Sequence, residues 1–189
     1  MTAVLKMNIQ ELSLKFVEDL KKQFAHSEVE IRVHEQYMTR STLTLTDFWS
    51  IIEQLDWSKE GDNKAVVEPI VQILQKQTSA QLYRFADILS EKLWHLDTKS
   101  HAQVFLDDPE EEGYLSVDDF LYARCAVVAN GREFYEEVLN NPKEMPKDST
   151  FESLLYVAMT AYKRKTDKEF MFVPAFNYET YSNKGGWKK

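Results

Sequence analysis

The hydrophobic pattern of the chain is densest in residues 116–165, which predict a helix, a break, a second helix, a loop and a third helix. Asn130 and Gly131 form the break, because these residue types tolerate the left-handed turn that ends many helices. Ser116 and Ser149 are each followed three residues later by an acid, the pattern of a capping box at a helix start. We expect the main domain to be built around this stretch.

Apolar residues also recur every three to four positions upstream of this stretch, which indicates further amphipathic helices. Capping-box patterns begin at Thr44 and at Thr78. The predicted helices cover residues 44–55, 64–77, 78–96 and 100–105. After residue 165 the chain is rich in aromatic residues but is broken by one proline and two glycines, so we expect an extended or looped tail lying over the helices.

The first 36 residues have a different pattern. A short apolar run at 4–7 precedes a predicted helix that begins at Asn8, and residues 28–34 alternate between apolar and polar side chains, which is typical of a half-buried strand. Two strands are too few to form a stable sheet. We therefore expect a further strand, either from residues 170–173 or from a second copy of the chain, and we favour the second copy.

These patterns predict an α+β fold that is mainly α. We expect a small strand-helix-strand association module at 1–36 and a linker at 37–43. A compact multi-helix domain follows at 44–189 and ends in an irregular aromatic-rich C-terminal tail.

The net charge of the chain disfavours one class of binding partner. The 189 residues include 23 Lys and Arg against 31 Asp and Glu, and the resulting net charge of -8 disfavours nucleic acid as a general partner. No apolar run approaches the roughly 20 residues that span a bilayer, and the start of the chain does not resemble a signal peptide. We expect a cytoplasmic protein that does not bind membranes.

The lone Cys125 of the chain excludes an intramolecular disulfide and a cysteine-based metal site.

Three runs carry a resemblance to a known family: TDFWSIIEQLDWSKEGD, FLYARCAVVANGREFYEEVLNNPKEMPKD and YETYSNKGGW. Over about residues 44–187 the chain resembles the bacterial domain-of-unknown-function 4240 family. That resemblance implies a fold class but no catalytic residues, because no activity is agreed for the family. Separately, residues 1–36 resemble the N-terminal modules of some bacterial antitoxins.

Two candidate sites have a plainer structural interpretation. Residues 108–119 match the spacing of an EF-hand calcium loop, but Asp119 replaces the usual bidentate Glu, so we favour a solvated acidic loop in which Ser116 caps the next helix. Cys125 with a histidine would be a nucleophile and base, but its apolar helix favours a buried, inert thiol. We predict no metal and no cofactor.

One cluster remains as a candidate ligand site, because two arginines and several hydrogen-bonding side chains lie near the break at Asn130. Its members are Tyr122, Arg124, Asn130, Arg132 and Tyr135. Arginine suits a carboxylate or phosphate, which it binds with two parallel hydrogen bonds. A buried Arg124 would otherwise need an internal acid, for which the candidates are Asp118, Glu136 and Glu152. In the ligand-binding interpretation, the aromatic tail supplies a lid, for which the candidate residues are Tyr178, Tyr181, Asn183 and Trp187.

The sequence contains no complete catalytic motif, so we favour a non-enzymatic protein-interaction protein, antitoxin- or conflict-related, that binds a protein partner or a second copy through residues 1–36. The rival hypothesis is an enzyme or small-anion-binding protein that uses the cluster around Arg124.

Overall fold

The computed structural model describes residues 13–25, 43–106 and 115–188. Contacts along the chain divide it into two units, residues 1–38 and residues 39–189. The described part of the first unit is a single helix, and the described part of the second is a bundle of seven helices.

The helix of the first unit, α1, spans Leu14–Gln23. The Ser13 hydroxyl caps it by accepting a hydrogen bond from the Phe16 amide at 3.2 Å. The helix is amphipathic, and Leu14 and Phe24 at its two ends are 86% and 50% exposed. The start that the sequence predicted, at Asn8, lies outside the described residues.

Among the described residues of the second unit, three short 3₁₀ helices lie between the α-helices. These span Trp57–Lys59, Pro142–Glu144 and Glu152–Tyr156. The α-helices are α2 (Leu45–Ile52), α3 (Asn63–Lys76), α4 (Ser79–His95), α5 (Lys99–Phe105), α6 (Val117–Ala129), α7 (Arg132–Asn140) and α8 (Val157–Thr166).

Helix α6 lies at the centre of the second unit. After the exposed Asp118 and Asp119 of its first turn it has no exposed face: nine of its residues are buried, and it contacts α4, α5, α7 and the 3₁₀ helix before α8. A helix that lacks an exposed polar face over most of its length is stable in water only when neighbours surround it. The sequence prediction that the core forms around residues 116–165 is therefore confirmed. Helix α3 packs mainly on α8, and α4 packs on both α6 and α8.

Most of the predicted helix starts are confirmed. Complete capping boxes begin α2 at Thr44 and α4 at Thr78, and the Ser116 hydroxyl accepts from the Asp119 amide at 3.3 Å. The predicted start at Ser149 is wrong. There the Phe151 amide donates instead to the Tyr122 carbonyl at 2.9 Å, and the 3₁₀ helix begins only after this buried residue, at Glu152.

The predicted α+β class is wrong, because the structure is helical and no strand occurs among its described residues. The two strands predicted at 4–7 and 28–34 lie outside those residues. Residues 170–173, the candidate third strand, lie against helices instead: the Phe172 ring stacks on Tyr83 of α4 at 4.8 Å, and Phe170 packs on Tyr162 of α8.

The C-terminal tail, residues 168–188, contains no helix and runs along α4. From residue 170 to 182 its residues alternate between half-buried and exposed. Phe176 contacts Trp94 at 5.3 Å, and Trp187 packs against Phe120 of α6. The tail therefore lies over the helices as a segment without helix. In the part of the chain that the structure describes, no helix is both long and apolar enough to cross a bilayer.

Candidate functional site at the end of helix α4

The last turn of α4 is the place where the tail and the central helix meet. The last carbonyls of a helix have no partner within it and carry the negative end of the helix dipole. Here three consecutive carbonyls, those of Lys92, Leu93 and Trp94, receive donors from elsewhere. The donors are the Tyr135 hydroxyl at 3.4 Å, the Arg124 guanidinium at 2.9 Å and the Asn183 amide at 3.1 Å.

Arg124 is the donor at the centre of this site, and it is 0% exposed. Its Nη1 donates to the Leu93 carbonyl and also to the tail carbonyl of Tyr178 at 3.0 Å. Its Nη2 donates to the Thr180 hydroxyl at 2.9 Å, and the guanidinium carbon lies 4.9 Å from the centre of the Phe120 ring. Its Nε is buried and has no hydrogen-bond partner. Arg124 therefore joins α6 to both α4 and the tail.

Asp97 holds the tail from the other side. It follows α4 directly, is fully buried, and its carboxylate accepts hydrogen bonds from four tail groups. The donors are the backbone amides of Tyr181 (3.1 Å) and Asn183 (2.9 Å), the Ser182 hydroxyl (3.2 Å) and the Trp187 indole N–H (2.8 Å). Hydrogen bonds to an ionised carboxylate are stronger than neutral ones, so this single side chain organises residues 181–187.

The electrostatics of the site depend on the same two residues. Burial lowers the pKa of Arg124, because an apolar environment disfavours its charged form, and the negative charge of Asp97 opposes that shift. An arginine nevertheless stays protonated in proteins. The buried cation is thus balanced by the Asp97 charge, by the helix dipole of α4 and by three acceptor oxygens.

Gly186 allows the tail to approach this site closely. A Cβ atom there would lie 2.8 Å from the Thr98 methyl carbon and 3.0 Å from the Asp97 carbonyl oxygen. Its own carbonyl accepts from the Lys99 amide at 3.2 Å, in the first turn of α5. The neighbouring Gly185 is less restricted, since a Cβ there would meet only Asn183, at 3.6 Å.

Of the five residues in the predicted cluster, Arg124 and Tyr135 both reach the end of α4. The other three make different contacts. Asn130 donates to the Ala126 carbonyl of its own helix at 2.8 Å, and Arg132 pairs at 2.7 Å with Glu136 on the exposed face of α7. Tyr122 is half-buried, and burial together with the nearby charge of Glu152 raises its pKa.

None of the three acids proposed as internal partners for Arg124 accepts a hydrogen bond from it in the described structure. Glu136 pairs with Arg132, and Glu152 accepts from the Tyr156 hydroxyl at 2.7 Å. The sequence interpretation missed Asp97, which looks like an ordinary helix-cap residue between α4 and α5. The only feature of the sequence that distinguishes Asp97 is that this acid directly follows the long apolar stripe of α4. The predicted lid residues Tyr178, Tyr181, Asn183 and Trp187 do lie at this site.

His101 connects α5 to α7 beside the site. Its Nε2 donates to the Val138 carbonyl at 3.0 Å, and its Nδ1 accepts from the Thr98 hydroxyl at 2.7 Å, since a carbonyl can only accept. Burial lowers the pKa of His101, the bond to Val138 opposes this, and the charge of Arg124 lowers the pKa further. The imidazole is therefore held neutral.

Two further candidate sites were the Cys125 thiol as a nucleophile and a metal site in the acidic loop. Cys125 is completely buried, and burial raises the pKa of its thiol to about 12, so it is protonated at neutral pH. Among residues 13–25, 43–106 and 115–188 no group of three or more His, Cys, Asp or Glu side chains is arranged to hold a metal ion. Most of the acidic loop at 108–119 lies outside these ranges.

The sequence profile of one family, described as a protein of unknown function (DUF4240), matches residues 43–164. This range includes Asp97 and Arg124 and ends before the tail. No match was found among curated proteins or among solved structures.

Replacing Gly186→Ala should lower the free energy of unfolding by about 1–3 kcal/mol, because the new methyl group would clash with Thr98 and with the Asp97 carbonyl. Gly185→Ala is the matched control, and its effect should stay within about 0.5 kcal/mol. Urea unfolding of both variants measures the difference. Equal effects would contradict the close contact at Gly186.

The pKa of His101 predicts a loss of stability in mild acid. Because the folded protein holds this pKa below the ordinary value of about 6.5, the unfolded chain binds a proton first as the pH falls. The contribution of His101 to the free energy of unfolding is fully present above pH 6.5. It is lost as the pH falls from that value toward the lower pKa that His101 has in the folded protein. Unfolding curves between pH 8 and pH 5 should show this decrease in the wild type and a flatter profile in His101→Gln. In His95→Gln, a change at an exposed histidine, the decrease should persist. The same profile in all three proteins would contradict the assignment.

Proposed function

The chain belongs to the DUF4240 family, whose function is unknown, and from that premise we propose that it is a non-enzymatic protein-interaction protein. In this proposal, the N-terminal unit carries the partner-binding surface, and the partner is another protein or a second copy of the chain. The helical unit supplies a stable scaffold.

The observation that carries the proposal is the exposed apolar surface of α1. Leu14 and Phe24 are large apolar residues with 86% and 50% exposure, and they lie at the two ends of an amphipathic helix in a unit separate from the bundle. Helices of this kind commonly bind proteins by laying their apolar face into a groove of the partner. Charged residues on the opposite side, such as Lys15 and Lys22, would stay in water.

The state of Arg124 also supports a non-enzymatic role. Its Nη atoms already bind the Leu93 and Tyr178 carbonyls and the Thr180 hydroxyl, so a substrate anion would have to displace the tail. The alternative, a small-anion-binding protein or enzyme at the predicted cluster, is supported by the unpartnered Nε of Arg124 and stays a prediction. An antitoxin- or conflict-related setting is supported only by the resemblance of residues 1–36 to antitoxin modules.

Comparing the wild type with Leu14→Ser/Phe24→Ser and Lys15→Ser/Lys22→Ser tests the proposal. Each double variant introduces two serines into α1, one pair at its exposed apolar ends and one pair at its charged positions. Sedimentation velocity measures self-association, and affinity capture with quantitative mass spectrometry measures a stoichiometric partner. We expect the apolar variant to lose at least nine-tenths of the bound partner or of the dimer, which corresponds to about 1.4 kcal/mol or more.

The lysine variant should retain the association, because its substitutions lie away from the apolar face. A wild-type chain that is monomeric and captures no stoichiometric partner would contradict the proposal. So would an equal loss in the two double variants, which would indicate that α1 had unfolded rather than lost a surface.

A further inference from the structure

The tail contacts the helical unit through both its backbone and its side chains, as an extended peptide contacts a receptor. Arg124 binds the Tyr178 carbonyl, Asp97 binds the amides of Tyr181 and Asn183, and the Lys99 amide binds the Gly186 carbonyl. Backbone hydrogen bonds of this kind supply affinity in peptide recognition, while side-chain contacts supply specificity.

Three tail side chains provide that specificity. Thr180 accepts from Arg124 and donates to the Val117 carbonyl at 2.7 Å. Asn183 is buried and donates to the Trp94 carbonyl. Trp187 donates to Asp97 and packs its ring on Phe120 and on Tyr181. A threonine, an asparagine and a tryptophan at spacings of three and four residues therefore form the recognised pattern.

The receptor side consists of residues that lie outside the tail. Its residues lie on or next to α4, α5 and α6, and these helices pack on one another. The matched family region, residues 43–164, also contains Asp97 and Arg124 but ends before the tail begins. Receptor and ligand are thus separate segments of the chain, joined by one connection.

That connection is short and lies on the surface. Helix α8 ends at Thr166, and Asp167 adopts a left-handed conformation with φ 56° and ψ 20°. This conformation is uncommon for residues other than glycine. Asp167 forms an ion pair with Lys163 at 3.3 Å, and the Asp167 side chain is 98% exposed. A change of backbone conformation at this residue would change the direction in which the chain leaves α8.

We propose that the groove bounded by Asp97 and Arg124 is a peptide-binding site, and that the tail of a second copy of this chain occupies it in exchange for the chain's own tail. The contacts are the same in both arrangements, which is why exchange of an identical element is a low-cost route to a dimer. The chain's own tail acts at an effective concentration on the order of millimolar, so it competes with any second tail. Exchange therefore increases with protein concentration and whenever the chain's own tail is weakened.

A fluorescently labelled synthetic peptide of residues 177–188 tests the site directly, with binding measured by fluorescence anisotropy. The peptide is titrated with the full-length wild type and with full-length Thr180→Val/Trp187→Ala. The tail of this variant has lost two groove contacts. Full-length Met171→Ala/Val173→Ala is the matched control, because these two tail residues are 81% and 84% exposed. Circular dichroism establishes that each variant is folded.

The peptide should bind Thr180→Val/Trp187→Ala at least ten times more tightly than it binds the wild type or the control variant. A second peptide carrying the same two substitutions should bind at least ten times more weakly than the first. Absence of saturable binding to all three chains would overturn the proposal, and so would equal binding of the two peptides. Leu14→Ser/Phe24→Ser in α1 should not alter peptide binding, so this test is independent of the proposed function.

A deletion in the connection provides a second test that leaves every groove contact intact. Removing residues 167–169 shortens the reach of the tail by about 10 Å, and we expect the shortened tail to be unable to return to its own groove. Sedimentation velocity should then give a dimer at protein concentrations where the wild type is a monomer. A folded monomer would overturn the exchange of tails between copies.

Discussion

The buried guanidinium of Arg124 is the constraint on which the rest of the helical unit depends. Removing a charge from water costs on the order of several kcal/mol unless hydrogen bonds and opposite charge compensate it. The end of α4 supplies one carbonyl and the negative end of a helix dipole, Asp97 supplies a nearby negative charge, and the tail supplies two more oxygens. Without the tail, two of the three hydrogen bonds of this cation would be lost. An element with no secondary structure of its own is therefore required by the core.

The same requirement determines the path of the tail over the helices. Residues 170–176 are attached to α4 and α8 by aromatic packing, and residues 177–187 by the polar contacts of Arg124 and Asp97. Because Asp97 also lies between α4 and α5, the tail couples the ends of these two helices. A segment held this way has both a stabilising role and the contacts of a bound peptide, which is the basis for inferring that it exchanges between copies.

The parts of the fold that depend on local pattern were predictable from the sequence, and the parts that depend on distant contacts were not. Capping boxes at Thr44 and Thr78 and the break at Asn130 each involve residues within four positions of one another, so they are visible in the sequence. Arg124 was identified as a residue needing a partner, but its actual partners lie 31, 54 and 56 residues away. Asp97 was missed for the same reason. The candidate strand at residues 170–173 failed on a different point: an extended segment can pack on helices without pairing with another strand, as residues 170–182 do.

Native-state amide hydrogen exchange, measured by NMR on the full-length protein, tests the central claim most directly. If Asp97 and Arg124 hold the tail, the amides of Tyr181 and Asn183 should exchange at least about 100-fold more slowly than that of Val173, corresponding to an opening free energy of roughly 2.7 kcal/mol or more. Arg124→Lys should reduce this protection, since a lysine cannot reproduce the forked geometry of the guanidinium. Exchange of both tail amides at the rate of Val173 in the wild type would show that the tail is not held, and would contradict the account.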